Sequence, residues 1–142
     1  MPEIRQITMQ DPFYKQEQEL RNRVLLRPIG MPDHAWEMND AKAFHFIAME
    51  DETVVGCALL LPVNETSYRL MQMAVETNQQ GKGIGGLLIY ALKRFAKSTT
   101  AREIMCHARE NAVHFYRQQG FEIYGDPFME VGIQHRYMRT EV

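Results

Sequence analysis

The stretch Gln79–Gly86 reads QQGKGIGG, with four glycines inside six residues and an apolar run directly after them. Glycine at this density is costly inside a helix or strand, so the stretch serves something other than regular structure. Two purposes fit. One is a flexible turn that starts the next helix. The other is a nest of exposed amide N–H groups, backed by the positive end of that helix and by the charge of Lys82. A turn needs one or two glycines rather than four, which favours the anion-binding reading, with a pyrophosphate as the natural guest. Gln80 is positioned either to order the loop or to touch a phosphate through its amide.

The run Gly81-Lys82-Gly83-Ile84-Gly85-Gly86 also satisfies G-x-G-x-x-G, and Glu103 follows where a ribose-binding acid would stand. A dinucleotide-binding fold is therefore a rival. Three features weigh against it. The polar segment ETNQQ separates the preceding strand from the first glycine. The strands before it are joined by short hairpins rather than helical crossovers. Too little chain follows for a second mononucleotide-binding half. No pair of histidines and carboxylates has metal-ligand spacing, so no metal is expected.

These residues need a scaffold. A chain of 142 residues with 45% apolar and 24% charged residues is enough for one domain with a sizeable core. The net charge of −2 gives no electrostatic support for nucleic-acid or membrane-surface binding. The N-terminal residues lack the apolar core of a signal peptide, and Cys57 and Cys106 sit in apolar, strand-like segments as buried thiols. Both features lead to the expectation of a cytoplasmic protein.

Glu3–Thr8 reads as a short strand, and Asp11-Pro12 as a helix start leading into Phe13, Leu20, Val24 and Leu25 along one face. Arg27–Asp40, with Trp36, reads as loop. Ala43–Glu50, Val54–Val63 and Tyr68–Val75 read as three strands joined by tight turns, the middle one buried on both faces. Ile84, Leu87, Leu88, Ala91, Leu92 and Phe95 recur at helical spacing. Glu103–Ala108 is a strand, Ala112–Gln119 a short helix ended by Gly120, and Phe121–Tyr124 and Gly132–Arg139 the final strands. The expected class is α+β, with a central βαβ unit in a mixed, mostly antiparallel sheet.

Taken together, two segments carry a resemblance. MAVETNQQGKGIGGLLI resembles the Q/R-x-x-G-x-G/A motif of the GCN5-related N-acetyltransferases (GNAT), met by Gln80, Gly83 and Gly85. Downstream, ENAVHFYRQQGF resembles the family's second signature, with Phe115, Tyr116, Gly120 and Phe121 in register and Asn111 closer to the Phe-Tyr pair than in the longer form. The order of elements fits over essentially the whole chain, and the ending FMEVGIQH resembles a small bacterial subgroup related to ElaA. The resemblance implies a GNAT fold over residues 1–142, a six- to seven-stranded sheet with helices on both faces. It implies acetyl-CoA as co-substrate and a small-molecule or peptide amine as acceptor. A homodimer is compatible with a fold whose edge strands pair. A CoA-binding protein without transferase activity is the alternative.

The resemblance assigns the pyrophosphate to Gln80, Gly81, Lys82, Gly83, Ile84, Gly85 and Gly86. It assigns the pantetheine arm to Met73, Ala74 and Val75, where an amide of Met73 or Val75 would face the thioester carbonyl and stabilise the developing oxyanion. Asn111 and its helix would touch CoA from the other side. Tyr116 falls at the family's general-acid position; the alternative is a core aromatic beside Phe115. A phenol near pKa 10 protonating a thiolate near 8.5 is uphill by about 2 kcal/mol. Candidates for the base are Glu130 and His135, then Glu76 at the end of its strand. His45, His107 and His114 are expected in packing or surface roles, Arg109 and Arg117 on the surface or at the CoA 3′-phosphate. Trp36, Met31 and Tyr14 are candidates to line an acceptor pocket.

Overall fold

The computed structural model describes residues 2–142. Seven strands form one sheet: β1 (Glu3–Ile7), β2 (Phe44–Glu50), β3 (Thr53–Asn64), β4 (Ser67–Val75), β5 (Glu103–Arg109), β6 (Glu122–Glu130) and β7 (Ile133–Glu141). The spatial order is β1-β2-β3-β4-β5-β7-β6. Every neighbouring pair is antiparallel except β4 and β5, which run parallel around helix α2 (Ile84–Lys97). The expected α+β class and the βαβ unit at the centre are both present.

Two apolar layers sandwich the sheet. On one face α2 and the short helix α3 (Val113–Gln118) bury Leu88, Leu92, Val113 and Tyr116 against Phe46, Ala58, Leu60, Leu70 and Cys106. On the other, helix α1 (Tyr14–Arg21) lays Leu20 onto Ile7, Ile47, Val54, Cys57 and Ala74. β3 serves both layers, so its residues from Val54 to Leu60 are all buried and its sequence lacks alternation. Leu92 lies fully inside the first layer, and truncating such a leucine to alanine costs about 2–5 kcal/mol. Cys57 and Cys106 are both buried and free.

Three boundaries differ from expectation. α1 starts at Tyr14, after a turn in which Asp11 Oδ1 accepts from the Phe13 amide at 2.8 Å. It then loosens into a π-helical turn over Asn22–Leu26 and a 3₁₀ turn over Arg27–Ile29. The strand expected to stop at Tyr124 continues to Glu130. Gly125-Asp126-Pro127 looks like a break, but the pairing with β7 slips there and resumes at Phe128. β6 lies at the sheet edge, where a bulge and a proline are tolerated. No helix among the described residues is long and apolar enough to cross a membrane.

Candidate active site

The parallel pairing of β4 with β5 runs only from Ser67–Glu103 to Leu70–Cys106. Beyond it the strands part. The cause lies in β4. Gln72 adopts φ 56°, and the register against β3 slips between Leu59–Met71 and Cys57–Ala74, so β4 bulges away from its former direction. A non-glycine residue held at positive φ is a local strain that the surrounding pairing must sustain. The Cys57 thiol donates to the Gln72 carbonyl at 3.4 Å and helps hold it.

This parting opens a cavity of about 550 Å³, lined on the β4 side by Met71, Gln72, Met73, Ala74 and Val75. Amide direction in the seam follows from strand geometry. Glu76 donates its amide to the Val55 carbonyl of β3 at 2.8 Å. Successive amides of a strand point to opposite edges, so the Val75 amide faces the seam. Gln80 Nε2 donates to the Val75 carbonyl at 3.0 Å, which ties the glycine loop to the strand end.

The four glycines have different reasons to be glycine. Gly81 and Gly83 sit at φ 81° and 85°, a region that side-chain-bearing residues avoid. Gly85 has ordinary backbone, but a Cβ there would lie 2.9 Å from the Phe115 ring of α3. Gly86 has room, with nothing closer than 3.5 Å. Two glycines therefore shape the turn and one lets two helices meet. Gly83 is the N-cap of α2 and offers no side-chain cap, so the first-turn amides of Ile84, Gly85 and Gly86 have no partner inside the helix. Lys82 is exposed beside them, its Nζ 3.4 Å from Gln79 Oε1. The Ile84 side chain is buried in the core and that of Ala74 in the layer under α1. Both bring only backbone to the site.

Tyr116 lines the cavity from α3. Its ring packs edge-on against Phe115 and Phe121, and among the described residues its hydroxyl has no hydrogen-bond partner. Burial pushes the phenol pKa well above its ordinary value. It is therefore a protonated donor, and a weaker acid than a free tyrosine.

Glu130 and His135, the two candidate bases, meet across the β6–β7 hairpin: Glu130 Oε2 is 3.6 Å from His135 Nε2. His135 Nδ1 lies 2.8 Å from the Ile133 carbonyl, which can only accept. The proton of neutral His135 is thus on Nδ1, and Nε2 carries the lone pair. His107, expected in a packing or surface role, joins them, its Nδ1 3.1 Å from Glu130 Oε1 and 3.0 Å from Arg69 Nη2. Burial lowers the His107 pKa below its ordinary value; the Arg69 charge adds to this and Glu130 opposes it.

Other candidates fall elsewhere. Glu76 pairs with Arg23 outside the cavity lining. Asn111 is exposed on the turn Glu110–Ala112 and does not line the cavity, while Arg109 does. His114 and Arg117 are exposed on α3. Trp36 lines the cavity with Met38 and Asn39, but Met31 does not, and Tyr14 binds Asp40 instead at 2.5 Å. Arg69 and Gln72 escaped the sequence reading. The available signal was a charged and an amide residue inside the apolar strand YRLMQMAV, where polar side chains need a reason.

The second surprise lies beneath α1. Glu17, Arg21, Asp40 and His45 are all buried and mutually bonded. Arg21 forks onto Asp40 at 2.8 and 3.0 Å and reaches Glu17 at 3.1 Å. His45 Nδ1 contacts Glu17 at 2.9 Å, and its Nε2 the Asp40 carbonyl at 2.8 Å. Spacing in the sequence hid this grouping of two carboxylates and a histidine. Arg21 also donates to the Trp36 carbonyl at 3.0 Å, as does Gln72 Nε2. The cluster thereby holds the cavity wall that contains Trp36.

The seam opened by the bulge widens into the cavity, and of the glycine stretch Gln80 alone lines it, tied to the Val75 carbonyl, while Gly81–Gly86 lie outside the lining. The chain belongs to the acetyltransferase (GNAT) domain family, whose sequence model matches residues 12–142. The uncharacterized N-acetyltransferase YjcF of Bacillus subtilis (strain 168) is 23% identical over 135 residues, spanning 94% of this chain and 92% of that protein. The crystal structure of Escherichia coli ElaA superposes with a TM-score of 0.87 at 17% identity, covering 99% of this chain and all of that one. A GNAT-family acetyltransferase of Elizabethkingia anophelis, solved with acetyl-CoA bound, gives 0.75 at 19% identity over 99% and 98% of the two chains.

Proposed function

We propose that this protein is an acetyl-CoA-dependent N-acetyltransferase acting on a primary amine. One observation carries the reading. The Val75 amide faces the seam beyond the β4–β5 pairing, Gln80 ties the glycine loop that precedes the uncapped start of α2 to the Val75 carbonyl, and Tyr116, Glu130 and His135 line the same cavity. The residues fit the co-substrate. Unpaired β4 backbone at Met73 and Val75 would pair with the amides of the pantetheine arm. The first-turn amides of α2, with Gly81, Lys82 and Gly83, would meet the pyrophosphate. Acetyl-CoA, when bound, would supply an acetyl group activated as a thioester.

The chain's own groups handle protons. His135 Nε2, held as the free lone pair by the Nδ1 bond to Ile133, takes a proton from the acceptor amine. Glu130 beside it stabilises the imidazolium that results. The Val75 amide donates to the oxygen on which charge develops. The amine nitrogen bonds to the acetyl carbon as the carbon–sulfur bond breaks, and Tyr116 protonates the departing thiolate. Burial makes Tyr116 a weaker acid, but it raises the pKa of a thiol in the same cavity as well, so the mismatch does not grow in proportion.

The test is thiol release from acetyl-CoA across a panel of primary amines, together with CoA binding by calorimetry. Turnover of at least one amine is expected. Saturable CoA binding with no turnover on any amine would favour the non-catalytic alternative, and absence of CoA binding would overturn both.

A further inference from the structure

Resting on that reading, we propose that the acceptor is an α-amino acid with an apolar side chain, its carboxylate held by Arg69 and its amine by Glu130. The observation is an imbalance around His107. Arg69 Nη2 approaches Nδ1 of that ring at 3.0 Å and Glu130 Oε1 approaches the same nitrogen at 3.1 Å. One ring nitrogen serves one of them, not both. If Nδ1 carries a lone pair it accepts from Arg69, and Glu130 faces another acceptor. If Nδ1 carries a proton it donates to Glu130, and Arg69 faces another donor. In either case one full charge is left without its partner.

Glu130 is partly exposed and has His135 at 3.6 Å, but Arg69 has no substitute. Among the described residues Arg69 forms no ion pair, and its Nε is buried with no hydrogen-bond partner. A cation left this way at the edge of a cavity is costly unless a ligand completes it. A zwitterion satisfies both sides at once, its carboxylate on the Arg69 guanidinium and its ammonium on Glu130. Because Arg69 and Glu130 flank a single nitrogen, the two charges of the ligand must be close together. An α-amino acid has that spacing. A peptide N-terminus lacks the adjacent carboxylate, and a lysine side chain carries its amine far from one. Trp36, Met38, Met71 and Met73 are among the other residues that line the cavity, and they suit an apolar side chain. The amine then lies beside Glu130, with the His135 lone pair at its shoulder.

The experiment measures equilibrium binding to the CoA-saturated protein for matched pairs. Phenylalanine is compared with phenethylamine, leucine with isopentylamine, and methionine with its decarboxylated amine. Wild type is expected to bind the amino acid of the best-bound pair tighter by about tenfold or more, the effect of a charge-assisted fork. In Arg69→Gln that ratio is expected to fall towards one. Arg69→Lys, which keeps the charge but not the fork, is expected to lie between. CoA binding by each variant reports that it is folded. Equal binding of both members of every pair by wild type, binding of neither, or a ratio that survives in Arg69→Gln overturns the proposal. Failure of the proposed function reads differently: the carboxylate preference and its loss in Arg69→Gln persist, in the CoA-free protein where CoA fails to bind, or in the CoA-saturated protein where acetyl-CoA releases no thiol with the amino acid present.

Discussion

Two groups of charged residues lie on either side of β4, and they are built to opposite rules. Beneath α1, Glu17, Arg21, Asp40 and His45 are buried and complete: every carboxylate has a donor, and Tyr14 adds one more to Asp40. In the cavity, Arg69, His107 and Glu130 are partly open and, with the buried His135, form an incomplete group, because one nitrogen of His107 stands between a cation and an anion. A closed network fixes geometry. An open one leaves a charge for something else to satisfy. The closed cluster serves the open one, since Arg21 and Gln72 both grip the Trp36 carbonyl in the cavity wall.

The sharpest way to break this contrast is to remove one member of the closed cluster. Asp40→Ala strips the fork from a guanidinium that is 2% exposed, and should cost about 3–5 kcal/mol of folding free energy in urea denaturation. Arg69→Gln, in the open group, should cost less than about 1 kcal/mol, because that side chain has no ion pair to lose. Equal costs would mean that the two groups do not differ as argued. Next in size, Tyr116→Phe should lower kcat by about a hundredfold with CoA affinity retained, the usual scale of a lost proton donor. An unchanged kcat would leave Tyr116 with its packing role alone.

Gly85→Ala tests the packing of the loop rather than its charge. The added methyl would lie 2.9 Å from the Phe115 ring, so α2 and α3 must shift, at a cost of about 1–3 kcal/mol and with weaker CoA binding. Urea titration and calorimetry of the variant read both effects.

The smallest effects separate the two groups by pH. Burial opposes the charged form of His45, but Glu17 and the Asp40 carbonyl outweigh it and raise its pKa above the ordinary value. A histidine with a raised folded-state pKa stabilises fully below about pH 6.5 and loses that contribution as the pH rises through the folded value. His107 has the opposite sign, since its pKa is lowered chiefly by burial. Its contribution is present above about pH 6.5 and is lost as the pH falls through the folded value. His45→Gln should therefore cost more stability at pH 5.5 than at pH 8.5, and His107→Gln more at pH 8.5 than at pH 5.5, each by less than about 1 kcal/mol in urea titrations. The same slope for both would erase the contrast.

Much of this molecule was legible in its residues. The 3.6-residue period of Ile84, Leu88 and Leu92 located α2, the tight turns located the hairpins of β2, β3 and β4, and Gly83 and Gly85 located the start of α2. These are local patterns, set by side-chain spacing and backbone preference over a few residues. The length of β6 was not legible, because Gly125 and Pro127 end a strand only where both its edges must pair, and β6 has a free edge. The burial of Glu17 and Arg21 was not legible either: no local pattern marks them, and they are buried because Asp40 and His45 arrive from elsewhere to neutralise them.

The sequence by itself determined the glycine turn, the helix behind it and the run of strands, since each depends on neighbours along the chain. Only the tertiary structure decided which polar residues share a site. Arg69, His107, Glu130 and His135 come from β4, β5, the end of β6 and β7, and meet because the sheet runs in the order β4-β5-β7-β6. Whether Arg69 and Glu130 are compensated depends on which groups lie within a few ångströms, and that distance is set by strand order and by the bulge at Gln72.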